Sequence, residues 1–283
     1  MRALFLAFVL TASAAPAFAQ QAPGAQAAYA ERRALLEADQ RCTLFEPRMR
    51  ASLQAAAGQA RGALLRAGWT QTRLSDLDAA AVSAARSRTC GDTRTLQAAE
   101  RARTAFDSWA HLHAMTFQGG ERVWLARRTP DPADQWRLRQ DIPAPQRAFF
   151  GVRESGQTRQ LTFILPLANG ASAPATAELV IRDRARAPLS LMDVPGRTAR
   201  GLSAGAPAQA TSRTYLAQAR RIETIEGARR AVFVFPGEAL SEMAALDPRE
   251  AGEIRLGGRN TPLLIEIGDL AAARAFLAAD GSR

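Results

Sequence analysis

Gly201-Leu-Ser-Ala-Gly205 has the Gly-x-Ser-x-Gly spacing that a nucleophile elbow uses to lift a serine out of a sharp strand-to-helix turn. Such an elbow needs an apolar strand before the serine and a histidine later in the chain. Here Pro195-Gly-Arg-Thr-Ala-Arg200 precedes the serine, Ala206-Pro-Ala follows it, and the last histidine is His113. The match reads as a loop rich in Gly, Ser and Ala. His111 and His113, with Met115 nearby, are the residues that would suit copper or zinc. On a strand two such histidines share a face; on a helix they stand about 200° apart. The periodicity around them is helical, so the expectation is a core His113, a surface His111 and no metal or other cofactor.

Paired carboxylates are the other route to catalysis. Asp131 with Asp134, Glu223 with Glu226 and Glu250 with Glu253 are each three apart. A glycosidase needs two carboxyls facing across a cleft, usually from distant parts of the chain, and local spacing does not supply that. Lysine chemistry is excluded outright. All 37 basic residues are arginine, so there is no P-loop lysine, no Ser-x-x-Lys and no Schiff base. For binding rather than catalysis, Trp124 and Trp136 stand out, set among Arg122, Arg127, Arg137 and Arg139. A sheet face carrying Trp and Arg would stack on a sugar and fork onto carboxylate or phosphate. Arg122, Trp124, Trp136 and Arg137 are therefore the candidate ligand contacts, set against the alternative of two core tryptophans flanked by solvated arginines.

The compartment narrows the partners. Arg2, the uncharged apolar run Ala3 to Leu10 and the small residues of Ala17-Phe18-Ala19 form the pattern of a cleavable signal peptide over 1–19. The apolar run is too short to span a bilayer, which takes about 20 residues. The expectation is an exported, periplasmic protein that is not integral to the membrane. Its net charge is +10, or +9 without Arg2, and the excess is dispersed: 13 Arg against 9 acids from Gln20 to Gln118, 23 against 18 thereafter. No basic arm exists for nucleic acid, and an export signal argues against that partner. Anionic envelope polymers, lipid headgroups or another exported protein fit better. Cys42 and Cys90 are the only cysteines. In an oxidising compartment they are expected to pair, closing a loop worth about 3–5 kcal/mol.

These residues are positioned by two kinds of segment. Residues 20–28 have no pattern and read as a disordered lead-in. From 29 to 118 the period is helical: Leu35, Cys42, Phe45, Met49, Leu53, Ala56, Ala60 and Leu64 recur at three, four or seven. Pro47 kinks that run or opens a second helix. Leu74-Ser75 looks like a staple and N-cap, Asp92 or Thr93 a cap, and a last helix is expected to carry Leu96 through to Phe117. After Gly119-Gly120 short strands alternate with turn chemistry over 119–283. They are Arg122 to Arg127, Gln135 to Arg139, Ala148 to Val152, Leu161 to Leu165, Ala177 to Ile181, Leu189 to Met192, Tyr215 to Ile222 and Ala231 to Phe235. A short helix over Glu238 to Leu246 follows, then strands Gly252 to Leu256 and Leu263 to Ile267, and a helix to Ala279. Arg197 to Ser212 reads as a long mobile loop. The expected class is α+β, a disulfide-linked helical bundle followed by an antiparallel β-rich domain with a C-terminal helix.

Leu161-Thr-Phe-Ile-Leu-Pro-Leu, the strand Ala231-Val-Phe-Val-Phe and the closing strand and helix from Leu263 to Leu277 resemble the small exported β-proteins of the invasion-associated locus B type. The whole chain looks like an envelope protein of GC-rich alphaproteobacteria. The paired cysteines of locus B-like domains are missing here, and the helical segment has no counterpart in them. Neither likeness carries a catalytic residue across. The function expected is a non-catalytic binding or accessory protein acting on an envelope component or a partner protein. The alternatives are a hydrolase with an acidic pair, or an inhibitor or chaperone-like partner of another exported protein.

Overall fold

A computed structural model describes residues 22–143, 146–193, 201–225 and 227–279. The signal-peptide reading of 1–19, Glu226 of one acid pair and residues 197–200 of the expected loop lie outside it. The helical half is four helices: α1 Ala22–Cys42, α2 Pro47–Arg66, α3 Gln71–Arg86 and α4 Thr93–Ala110. Helix α1 begins inside the stretch read as disordered. Pro23 sits in its first turn, where a missing N–H costs nothing, and a run of Ala and Gln favours helix beyond it. Pro47 opens α2 rather than kinking α1. The corner between them is held by Asp39, whose carboxylate accepts the Phe45 N–H at 2.8 Å. Thr70, not Ser75, caps α3, and Leu74 is a buried residue one turn inside it. Asp92 caps α4, accepting from the Thr95 N–H at 2.9 Å.

Helix α4 stops at Ala110 instead of running to Phe117. Its last carbonyls are satisfied by Arg128, whose guanidinium donates to the oxygens of Ala110 and Trp109. A cation at the negative end of a helix is a favourable stop. Met115 and Phe117 then belong to a strand. The Cys42–Cys90 disulfide, with Cα atoms 5.5 Å apart, ties the end of α1 to the turn between α3 and α4. Arg41 reinforces it through the carbonyls of Ala85, Arg86 and Arg88.

The second half comprises β1 Ala114–Gln118, β2 Val123–Arg127, β3 Trp136–Ile142, β4 Ala148–Ser155, β5 Thr158–Pro166, β6 Ala177–Arg182, β7 Ser212–Leu216, β8 Ala219–Ile225, β9 Ala228–Phe235, β10 Ala251–Leu256 and β11 Leu263–Glu266, with helices α5 Gly237–Ala244 and α6 Leu270–Ala278. They form two antiparallel sheets, ordered β1-β2-β3-β4-β5-β9-β8 and β11-β10-β6-β7. One core joins them, with Trp124, Phe150, Phe163 and Phe233 from the larger sheet against Leu179, Ile181, Ile254 and Ile265 from the smaller. Alternation along each strand supplies those residues to one face.

Three expected features differ. Leu189 to Met192 is not a strand: Leu189 is exposed and a 3₁₀ turn follows at Leu191–Asp193. Tyr215 to Ile222 breaks at Ala217-Gln218 into β7 and β8, which belong to different sheets. Residues 201–211 of the expected mobile loop are docked, with Leu202 and Ala204 buried. Gly205 packs so tightly on the backbone of Arg249 and Glu250 that no side chain would fit.

The turn between β1 and β2 explains the glycine pair. The buried Glu266 carboxylate accepts the N–H groups of Gly120, Glu121 (3.0 Å) and Arg122 (2.7 Å). A Cβ on Gly119 would fall on that carboxylate. Helix α2 lies along α6, where Gly62 leaves room for Asp269 and Arg66 pairs with it at 2.9 Å. Ala55, Trp109 and Met115 pack onto the sandwich core, so bundle and sandwich share a seam.

Candidate functional site

That seam is not filled. Helix α4 meets α1 and α2 through Leu35, Met49, Leu53, Ala99 and Phe106. Beside this contact a cavity of about 400 Å³ opens, walled by Met49, Leu53, Phe106, Trp109, Met115 and Phe117. Alanines at 55, 56, 98, 102 and 105 line it as well, and their short side chains leave the space. The size and apolar wall match those of small-molecule sites, which run from about 300 to 1,000 Å³. At the mouth Arg101 pairs with Glu31 at 2.8 Å.

Arg32 and Gln59 stand where this cavity meets a second, more polar one of about 530 Å³, which also holds Arg66 and Asp269. Arg32 Nη1 donates to the Ala56 carbonyl at 2.8 Å. No carboxylate among the described residues hydrogen-bonds to it. Burial lowers its pKa, with only the nearby charge of Glu31 opposing. Across the second cavity Asp269 is pushed above its usual value, first by burial and then by the charge of Glu266, against the pull of Arg66. The wall thus combines an apolar slot with a half-buried cation that, among the described residues, hydrogen-bonds to no carboxylate. Comparison of the chain with protein-family models, curated proteins and solved structures returned no match.

The residues singled out from the sequence lie elsewhere. Trp124 is fully buried, its Nε1 donating to the carbonyls of Glu266 and Ile267. Trp136 is also buried but packs with Ile164 and Val232 on the opposite face of the larger sheet. A bulge between Trp136 and Leu138 reverses its direction. Arg122 donates to the Leu264 carbonyl and Arg137 pairs with Glu154 at 2.6 Å. The four candidates therefore share no face, and neither indole is open to a sugar.

His111 and His113 are both exposed between α4 and β1, which corrects the core placement of His113. No third metal ligand accompanies them among the described residues. Ser203 lies in the 3₁₀ turn Leu202–Gly205, after Gly201 and not after a strand. The acid pairs are neutralised singly: Glu250 by Arg182, Glu253 by Arg255, Asp134 by Arg230. The Asp131 carboxylate accepts the N–H groups of Ala133 and Asp134 and shapes its own turn.

Glu223 is the most heavily paired. Burial would raise its pKa, but hydrogen bonds from Arg221 and Arg230 and the charge of Arg153 outweigh this and hold it at about 2. A carboxyl depressed in the fold stabilises it above the unfolded value and loses that contribution as pH falls through the folded one. Urea unfolding midpoints measured from pH 6 to pH 2 should drop between about 4.5 and 2. Glu223→Gln should flatten the curve in that window.

The cleft itself had one legible sign. Tyr29, Arg32, Leu35 and Leu36 follow helical spacing, so a cation sits on the inward stripe of α1. The cavity beside it depends on how far α4 stands from α1 and α2, which no residue type announces.

Proposed function

We propose that this is a non-catalytic binding or accessory protein of the cell envelope, exported to the periplasm, that holds an anionic amphiphile in the cleft between bundle and sandwich. The observation that carries the proposal is Arg32, a half-buried guanidinium that hydrogen-bonds to no carboxylate among the described residues, at the boundary of an apolar cavity and a polar one. The acyl portion occupies the slot lined by Met49, Leu53, Phe106 and Trp109, and the headgroup oxygen pairs with Arg32. Export is supported by the signal-like pattern over 1–19 and by the Cys42–Cys90 bond. No helix among the described residues is long and apolar enough to cross a membrane. A hydrolase finds no support in the acid pairs, each described member of which is held by arginine or by its own turn.

Titration calorimetry with a series of straight-chain carboxylates tests the proposal. Each buried methylene contributes about 0.8 kcal/mol, so two more carbons should tighten binding about fifteenfold until the slot is full. Ala102→Trp, which fills the cavity, should abolish binding. Arg32→Gln should weaken dodecanoate by about tenfold or more and leave dodecanol unchanged, since a charge-assisted hydrogen bond is worth about 1.5–3 kcal/mol. Affinity that is independent of chain length, or equal losses for acid and alcohol, would overturn the assignment.

A further inference from the structure

Strand β8 is the edge of the larger sheet and, among the described residues, pairs only with β9. Its burial is unlike that of the other edges: every residue from Ala219 to Ile225 is exposed except Glu223, which is half-buried. Ile222 is 41% and Ile225 38% exposed. Natural edges are blunted by proline, a bulge, brevity or charged side chains, and of these β8 has only the charges of Arg220, Arg221 and Glu223. β8 has no proline, and its seven residues pair with β9 in unbroken register.

We propose that β8 pairs antiparallel with β8 of a second copy of this chain, about a two-fold axis through Ile222, joining the two large sheets into one. The sequence is self-complementary in that register. Residues directly opposite each other lie on one face, and Arg221 of each copy then meets Glu223 of the other. Arg220 meets Thr224, Ala219 meets Ile225, and the two exposed Ile222 side chains cover one another. Arg221 and Glu223 already share a face, 2.8 Å apart within one strand, so the dimer closes a ring of alternating charge. Moving the axis by one residue sets Arg221 against Arg221 or Glu223 against Glu223. The charge pattern therefore selects a single register among those that keep the sheet faces aligned.

Single-cysteine cross-linking tests this in the whole protein, whose own two cysteines are bonded to each other. On mild oxidation, or with a short bismaleimide, Ile222→Cys should yield a covalent dimer. Ile225→Cys is almost equally exposed but stands roughly 20 Å from its counterpart in this register, and it should stay monomeric. Equal cross-linking of both variants, or of neither, would overturn the proposal. In sedimentation experiments Arg221→Glu should raise the dimer dissociation constant at least tenfold while the variant keeps its native circular dichroism. An unchanged dissociation constant would equally count against it.

Discussion

Replacing Cys42 and Cys90 together by serine is expected to cost about 4 kcal/mol of stability. The bond spans 48 residues, and closing a loop of that length removes about this much conformational free energy from the unfolded chain. Against a total of about 5–15 kcal/mol for a folded protein the loss is large, and it should lower the melting temperature by about 8–16 °C. The effect should reach the cleft, because α4 meets α1 and α2 mainly around Leu35, Met49, Phe106 and Ala99, and the disulfide fixes the turn from which it starts. Urea unfolding of the serine variant gives the stability change directly. A cost below about 1 kcal/mol would mean that packing alone places α4.

A second large effect is expected at Arg182. Its Nε lies 2.9 and 3.0 Å from the two oxygens of Glu250, and the side chains are 4% and 1% exposed. The guanidinium also donates to the Ala187 carbonyl, so it ties β6 to the loop that follows. Arg182→Met removes the guanidinium that holds a buried carboxylate, and breaking such a pair typically costs about 3–5 kcal/mol. Adding Glu250→Leu removes the buried charge as well and should recover most of that loss, because a buried pair often contributes little beyond an apolar replacement. Unfolding free energies of the single and double variants decide it. A single variant no worse than the double would show that Glu250 does not depend on Arg182.

The order of elements and the disulfide were legible because they follow from local rules. Helical spacing around Leu35, Met49 and Leu53, alternation along Leu161 to Leu165, and two lone cysteines each have one main physical reading. What failed was set by partners distant in sequence. α4 ends at Ala110 because Arg128 arrives at its C-terminus, and from the sequence alone the periodicity runs on to Phe117. Trp136 leaves the face of Trp124 through one bulge, and nothing in Trp-Arg-Leu-Arg marks it. Gly119-Gly120, taken from the sequence as the start of the β-rich part, lies one strand late, in the turn between β1 and β2, and the Glu266 carboxylate seated on that turn is not visible locally. The cleft follows the same division: Arg32 on an apolar stripe was readable, whereas the space beside it was not.

Trp109 offers the most direct test of the cleft as a binding site. It lines the slot, whereas Trp69 packs with α1, α2 and α3, and Trp124 and Trp136 are buried in and behind the larger sheet. Bromine on an acyl chain quenches tryptophan emission on contact. Dodecanoate brominated along its chain should quench the protein, and Trp109→Phe should remove that quenching while Trp69→Phe leaves it in place. Quenching that survives Trp109→Phe, or none at saturating ligand, would contradict the cleft assignment.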